Sequence, residues 1–75
     1  MDWLQKLKVG DGVIRLLAGV IPMTLTVTKV TDEKVICGPW EFNRNNGAEI
    51  DLELGWDGVN STGSYLTQSL NKEGP

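Results

Sequence analysis

Histidine is absent from this 75-residue chain, and cysteine occurs once, at Cys37. The first absence removes the side chain most used as a general base and metal ligand. The second excludes an internal disulfide and the paired thiols that a disulfide oxidoreductase needs. No apolar run approaches the ~20 residues of a membrane span; the longest, residues 16 to 23, is broken by Gly19. The opening Met1-Asp2-Trp3-Leu4-Gln5-Lys6 lacks the basic segment and long apolar stretch of an export signal, so a cytoplasmic location is expected. Basic clusters are missing too. Lys6, Lys8, Arg15, Lys29, Lys34, Arg44 and Lys72 are scattered, and with ten acidic residues against seven basic ones the net charge is −3. That balance repels phosphate backbones and argues against nucleic acid as a partner.

What is present reads as one all-β domain. Trp3, Leu4 and Leu7 fit one stripe of a short helical turn with Asp2 as its cap, the only helix expected. Residues 12 to 17 read as a strand with Arg15 as its solvent-facing member, and residues 18 to 22 as a Gly/Pro loop. The clearest alternation follows, Met23, Leu25 and Val27 on one face and Thr24, Thr26 and Thr28 on the other. Its phase slips at Lys29-Val30, as a β-bulge would cause. Thr31-Asp32-Glu33-Lys34 is a hairpin turn, Val35-Ile36-Cys37 resumes the strand, Gly38-Pro39 bends or edges the sheet, and Trp40 and Phe42 then share a face. Asn43-Arg44-Asn45-Asn46-Gly47 is a second hairpin loop, with Asn46-Gly47 suited to positive φ. Residues 51 to 64 lose periodicity and read as a long ordered loop, and Tyr65-Leu66-Thr67 as a closing strand.

About five short antiparallel strands in so short a chain predict a small SH3-like barrel, because closure removes exposed sheet edges. The expected layout is an N-terminal arm over residues 1–8, the barrel over 9–70 and a frayed tail over 71–75. A chain of this size buries only about 60% of the surface its unfolded form exposes. With no disulfide and no metal ligand set, self-association as a homo-oligomer is the remaining source of stability.

Val9-Gly10-Asp11, Val13, Arg15-Leu16, Gly19 and Pro22-Met23-Thr24, then Val27, Val35, Cys37, Trp40 and Phe42, resemble a YodC-like group of small uncharacterised bacterial proteins. The resemblance covers residues 9–42 and implies a small barrel and a bacterial origin, with no activity attached. Residues 37 to 40, Cys37-Gly38-Pro39-Trp40, look like a thioredoxin-type active-site turn without its second cysteine. In phase with Val35 and with no base nearby, Cys37 is expected to behave as a small buried hydrophobe. Gly10-Asp11-Gly12-Val13 resembles the start of KOW-type barrels, which gives the alternative of an RNA-binding module using Arg15, Lys29, Lys34 and Arg44.

The candidate site is aromatic. Trp40, Trp56 and Tyr65 are expected near loop ends as a groove for an as yet unidentified protein or peptide, with Glu53 and Asp57 selecting basic partners. The alternative for both tryptophans is a place in the core. Asp51, Glu53 and Asp57 also supply oxygens for a hard cation, although their spacing departs from the EF-hand loop. Acid and base pairs drawn from Glu49, Asp51 and Asp57 would need a substrate cleft that 75 residues barely form. No catalytic residue, metal site or cofactor is assigned, and the chain is read as a non-enzymatic protein-binding module. Asn60-Ser61-Thr62 matches a glycosylation acceptor and, without an export signal, is read as chance.

Overall fold

The computed structural model describes residues 2–58 and 63–68; the Asn60-Ser61-Thr62 pattern and the 71–75 tail fall outside them. Among the described residues a short helix α1 (Asp2–Gln5) precedes eight strands rather than five: β1 (Gly12–Leu17), β2 (Ile21–Thr26), β3 (Lys29–Val30), β4 (Lys34–Cys37), β5 (Trp40–Asn43), β6 (Glu49–Asp51), β7 (Trp56–Asp57) and β8 (Ser64–Gln68). A 3₁₀ turn (Leu52–Leu54) separates β6 from β7. The strands form two antiparallel sheets, ordered β2-β1-β8 and β3-β4-β5-β6-β7, and among the described residues these do not close into a barrel. No described helix is long and apolar enough to cross a membrane.

The extra strands arise where the chain changes partner. Gly10 and Asp11 together oppose Val27: the Gly10 N–H donates to Val27 O and the Val27 N–H to Asp11 O, both at 2.9 Å. That two-against-one irregularity lies on the β1 side, just before the phase slip. One residue later the Thr28 N–H donates to Ile36 O of β4 at 2.8 Å. The slip at Lys29-Val30 is therefore the crossing from one sheet to the other. β2 also starts earlier than the Gly/Pro loop predicts, at Ile21, because a strand tolerates Pro22 where its nitrogen faces away from the ladder.

Local turn chemistry follows the sequence closely. Thr31 Oγ1 accepts from the Glu33 and Lys34 N–H groups and closes the β3–β4 turn. Gly38, at φ +62°, and Pro39 form a two-residue loop between the paired Cys37 and Trp40, the residue order of a type II′ hairpin. In the 43–47 loop Gly47 alone takes positive φ, and its N–H donates to Asn43 O at 2.7 Å, an i→i+4 turn that leaves Asn46 at negative φ.

The core gathers Leu4, Leu7, Val13, Leu25, Val27, Val35, Cys37, Phe42 and Leu66, with Trp3, Val30 and Trp40 packed against it. The N-terminal residues are thus part of the domain rather than an arm beside it. Leu4 is fully buried, and Arg44 ties α1 down by donating to the carbonyls of Leu4, Gln5, Leu7 and Thr31. β8 closes the opposite side. It pairs with β1 along Val13–Leu17, while the Leu66 N–H donates to Gly47 O at 2.9 Å and Tyr65 bridges Ala48 on the approach to β6. This places β8 at the seam between the sheets.

Candidate functional site

Strand alternation in β1 puts Val13 and Arg15 on one face and Ile14 and Leu16 on the other. Val13 lies in the core, so Arg15 is carried inward with it. The expectation of a solvent-facing Arg15 is therefore corrected. Its side chain is 10% exposed, its Nε donates to Glu49 Oε1 at 2.8 Å, and the Glu49 side chain is 2% exposed. The guanidinium carbon also lies 5.4 Å from the centroid of the Trp40 ring, within cation–π range. Glu49 is held in place because it pairs with the buried Phe42 on β5. The Ala48–Tyr65 bridge sets Ser64 across from Glu49, and Ser64 is itself buried; its Oγ has no hydrogen-bond partner among the described residues. The seam thus concentrates three buried polar side chains on one inner face.

Of the three aromatic candidates, Trp40 is half-buried and follows the Gly38-Pro39 turn on the inner face with Phe42. Its ring is committed to Arg15 and the core. Trp56 on β7 is half-buried across from Asp51, and a Cβ added at Gly63 would overlap its indole. Only glycine leaves room for that stacking. Tyr65 alternates with the buried Ser64 and Leu66 and so takes the opposite face of β8, with its hydroxyl beside Gly19 in the β1–β2 turn. Trp40 thus lies on the core side, whereas Tyr65 takes the face of β8 away from Ser64 and Leu66.

Residues 51–57 instead build a rim of their own. Asp51 Oδ1 caps the 3₁₀ turn by accepting from the Glu53 N–H at 3.1 Å. Gly55, at φ +79°, ends it with its N–H on Leu52 O. The turn buries none of its residues: Leu52 is 78% and Leu54 59% exposed. Glu53 and Asp57 are exposed beside them, and Trp56 forms the inner boundary. Asp51 already serves the backbone through its cap, and among the described residues no group of three or more acidic, cysteine or histidine side chains is gathered to hold a metal ion.

The remaining candidates resolve into structural roles. Cys37 is buried, and burial pushes its thiol up to about 11, away from a reactive thiolate. Arg44 spends its guanidinium on four backbone carbonyls, and Lys34 Nζ pairs with Glu41 Oε1 at 3.0 Å. Two features escaped the sequence reading, the Arg15–Glu49 pair and the exposed leucines. A signal for the first was available at one end only: Arg15 is a single charge within an otherwise apolar run, whereas Glu49 alternates with Asp51 and Glu53 and nothing local sets it apart. No family model, curated protein or solved structure matches the chain.

Proposed function

We propose that this chain is a non-enzymatic protein-interaction module that holds an extended segment of a partner protein on the rim formed by Leu52, Leu54 and Trp56. Glu53 and Asp57 border that rim and favour a segment that carries basic as well as apolar side chains. One observation carries the reading: an ordered turn, capped at both ends, presents two leucines more than half exposed beside a half-buried tryptophan. Apolar side chains held out together on an ordered element mark contact surfaces. The anchor is Trp56, flanked by leucines; Trp40 and Tyr65, bound to other parts of the fold, support the framework.

The architecture in this proposal is SH3-like, a partly open barrel whose two sheets share the β2–β3 crossing on one side and the β8 seam on the other. A cytoplasmic, bacterial setting belongs to the same reading, and an unbridged buried thiol agrees with a reducing compartment. The RNA-binding alternative draws on Arg15, Lys29, Lys34 and Arg44, of which all but Lys29 are engaged within the chain. This weighs towards a protein partner.

A synthetic dodecapeptide of alternating leucine and lysine tests the reading when titrated into labelled protein and followed by amide and indole shifts. The expected perturbations centre on residues 52–57, and Leu52→Ser with Leu54→Ser weakens binding at least tenfold with the fold intact. Equal binding by that double variant, or equal binding of a leucine–glutamate peptide, overturns it.

A further inference from the structure

We propose that the outer edge of β2 pairs with the β2 edge of a second copy of this chain, antiparallel, about a two-fold axis at Thr24. β2 is the terminal strand of its sheet. The hydrogen bonds of Val27 with Gly10 and Asp11 fix the phase of the ladder: residues 21, 23, 25 and 27 direct their backbone groups towards β1. Residues 22, 24, 26 and 28 direct theirs outward. Thr28 confirms the phase, since its N–H reaches outward to Ile36 of β4. There the neighbour ends, because β4 turns back at Gly38-Pro39. Among the described residues no strand lies beyond Pro22, Thr24 and Thr26.

Free edges are normally guarded by charge, bulges or cover. Here residues 16 to 28 contain no charged side chain, and Pro22 is the single guard. The remaining outward groups are complementary to themselves under a two-fold. With Thr24 opposite its own copy, each Thr24 N–H meets the other Thr24 carbonyl, and each Thr26 N–H meets a Pro22 carbonyl. Four bonds form, and the missing proline N–H falls at the two ends of the ladder, where it matters least. The same register places Met23 beside Leu25 of the second copy and Ile21 beside Val27 of the second copy. Met23 and Ile21, 41% and 57% exposed, are thereby covered. An uncharged edge offers nothing to select a foreign strand by charge, whereas a second copy supplies the matching register by symmetry.

Sedimentation equilibrium over a wide concentration range, with amide exchange on the same samples, tests this. The expected result is a mass rising towards twice the monomer value. Thr24 and Thr26 amides gain protection as concentration rises, while Met23 and Leu25 amides stay protected throughout. Thr24→Lys sets two ammonium groups face to face, and Thr24→Pro removes the central donors without touching the β1 ladder. Each keeps the β circular-dichroism signature and weakens association at least tenfold. Monomer mass at every concentration, association unchanged in both variants, or concentration-independent exchange at Thr24 and Thr26 overturns the proposal. So does protection that arises only when an unrelated extended peptide is added, an outcome that gives the edge to a foreign strand.

Discussion

The seam between the sheets hides charge, whereas the rim after β6 displays hydrocarbon. At the seam, Arg15 and Glu49 are almost wholly withdrawn from water; a few residues along the chain, Leu52 and Leu54 stand out in it. Each region inverts the ordinary partition of side chains, and the reasons differ. The buried charges are tolerable because they pair at 2.8 Å and Trp40 presents its ring face to the guanidinium. The exposed leucines have no internal compensation of that kind. The inversion at the seam is satisfied within the molecule, and the one at the rim is what the proposed partner contact would satisfy.

The largest break in this comparison comes from Glu49→Ala. It leaves the Arg15 guanidinium buried without its counter-charge and is expected to cost about 3–5 kcal/mol, measured by urea unfolding. Arg15→Met combined with Glu49→Leu restores most of that loss, since the pair is then replaced by hydrocarbon of similar volume. A cost for Glu49→Ala below about 1 kcal/mol would place the pair among ordinary surface bridges and remove the seam from the argument.

Gly63→Ala comes next, because its new methyl group collides with the Trp56 indole. A loss of about 1–3 kcal/mol is expected from this overpacking, along with a shift in the Trp56 indole N–H resonance. Since Gly63 directly precedes Ser64, this variant also measures how firmly the rim is anchored to the seam. An unchanged indole signal would mean that the two regions are independent.

The smallest effect concerns Cys37, paired across β4 and β5 with Trp40. Burial raises its thiol from 9.0 to about 11, so between those values the unfolded chain has released a proton that the folded chain still holds. Stability from this group is full below pH 9 and falls as pH rises towards 11. Urea midpoints of the wild type and Cys37→Ala, compared from pH 8 to 11, are expected to converge across that window. Parallel profiles would show that the thiol is exposed.

How much of this was legible beforehand depended on how local the cause was. The Thr31–Lys34 turn, the Gly38-Pro39 hairpin and the inward Leu25 and Val27 follow from neighbouring residues, and each could be read from the chain. The closing strand at Tyr65 was legible as a strand, though its partners β1 and Ala48 were not. Arg15 was misplaced because polarity in one strand favours the outside, and only Glu49, far along the chain, reverses that preference. The 3₁₀ turn and β7 were hidden in the 51–64 stretch because short elements held by caps and single pairs leave no periodicity. The aromatic site was legible in part: Trp56 stands at the rim, while Trp40 and Tyr65 were separated by strand alternation that only the register reveals.

The position of β8 beside β1 also sets a clock. β1 (Gly12–Leu17) is synthesised well before its second neighbour β8 (Ser64–Gln68), and at about 5–20 residues per second the interval lasts some seconds. Until β8 arrives, β1 has only β2 as a ladder partner and its sheet stands half assembled. Pairings that span most of the chain are also the slowest to form. For a nascent chain of this protein, the hazardous moment is the wait for β8.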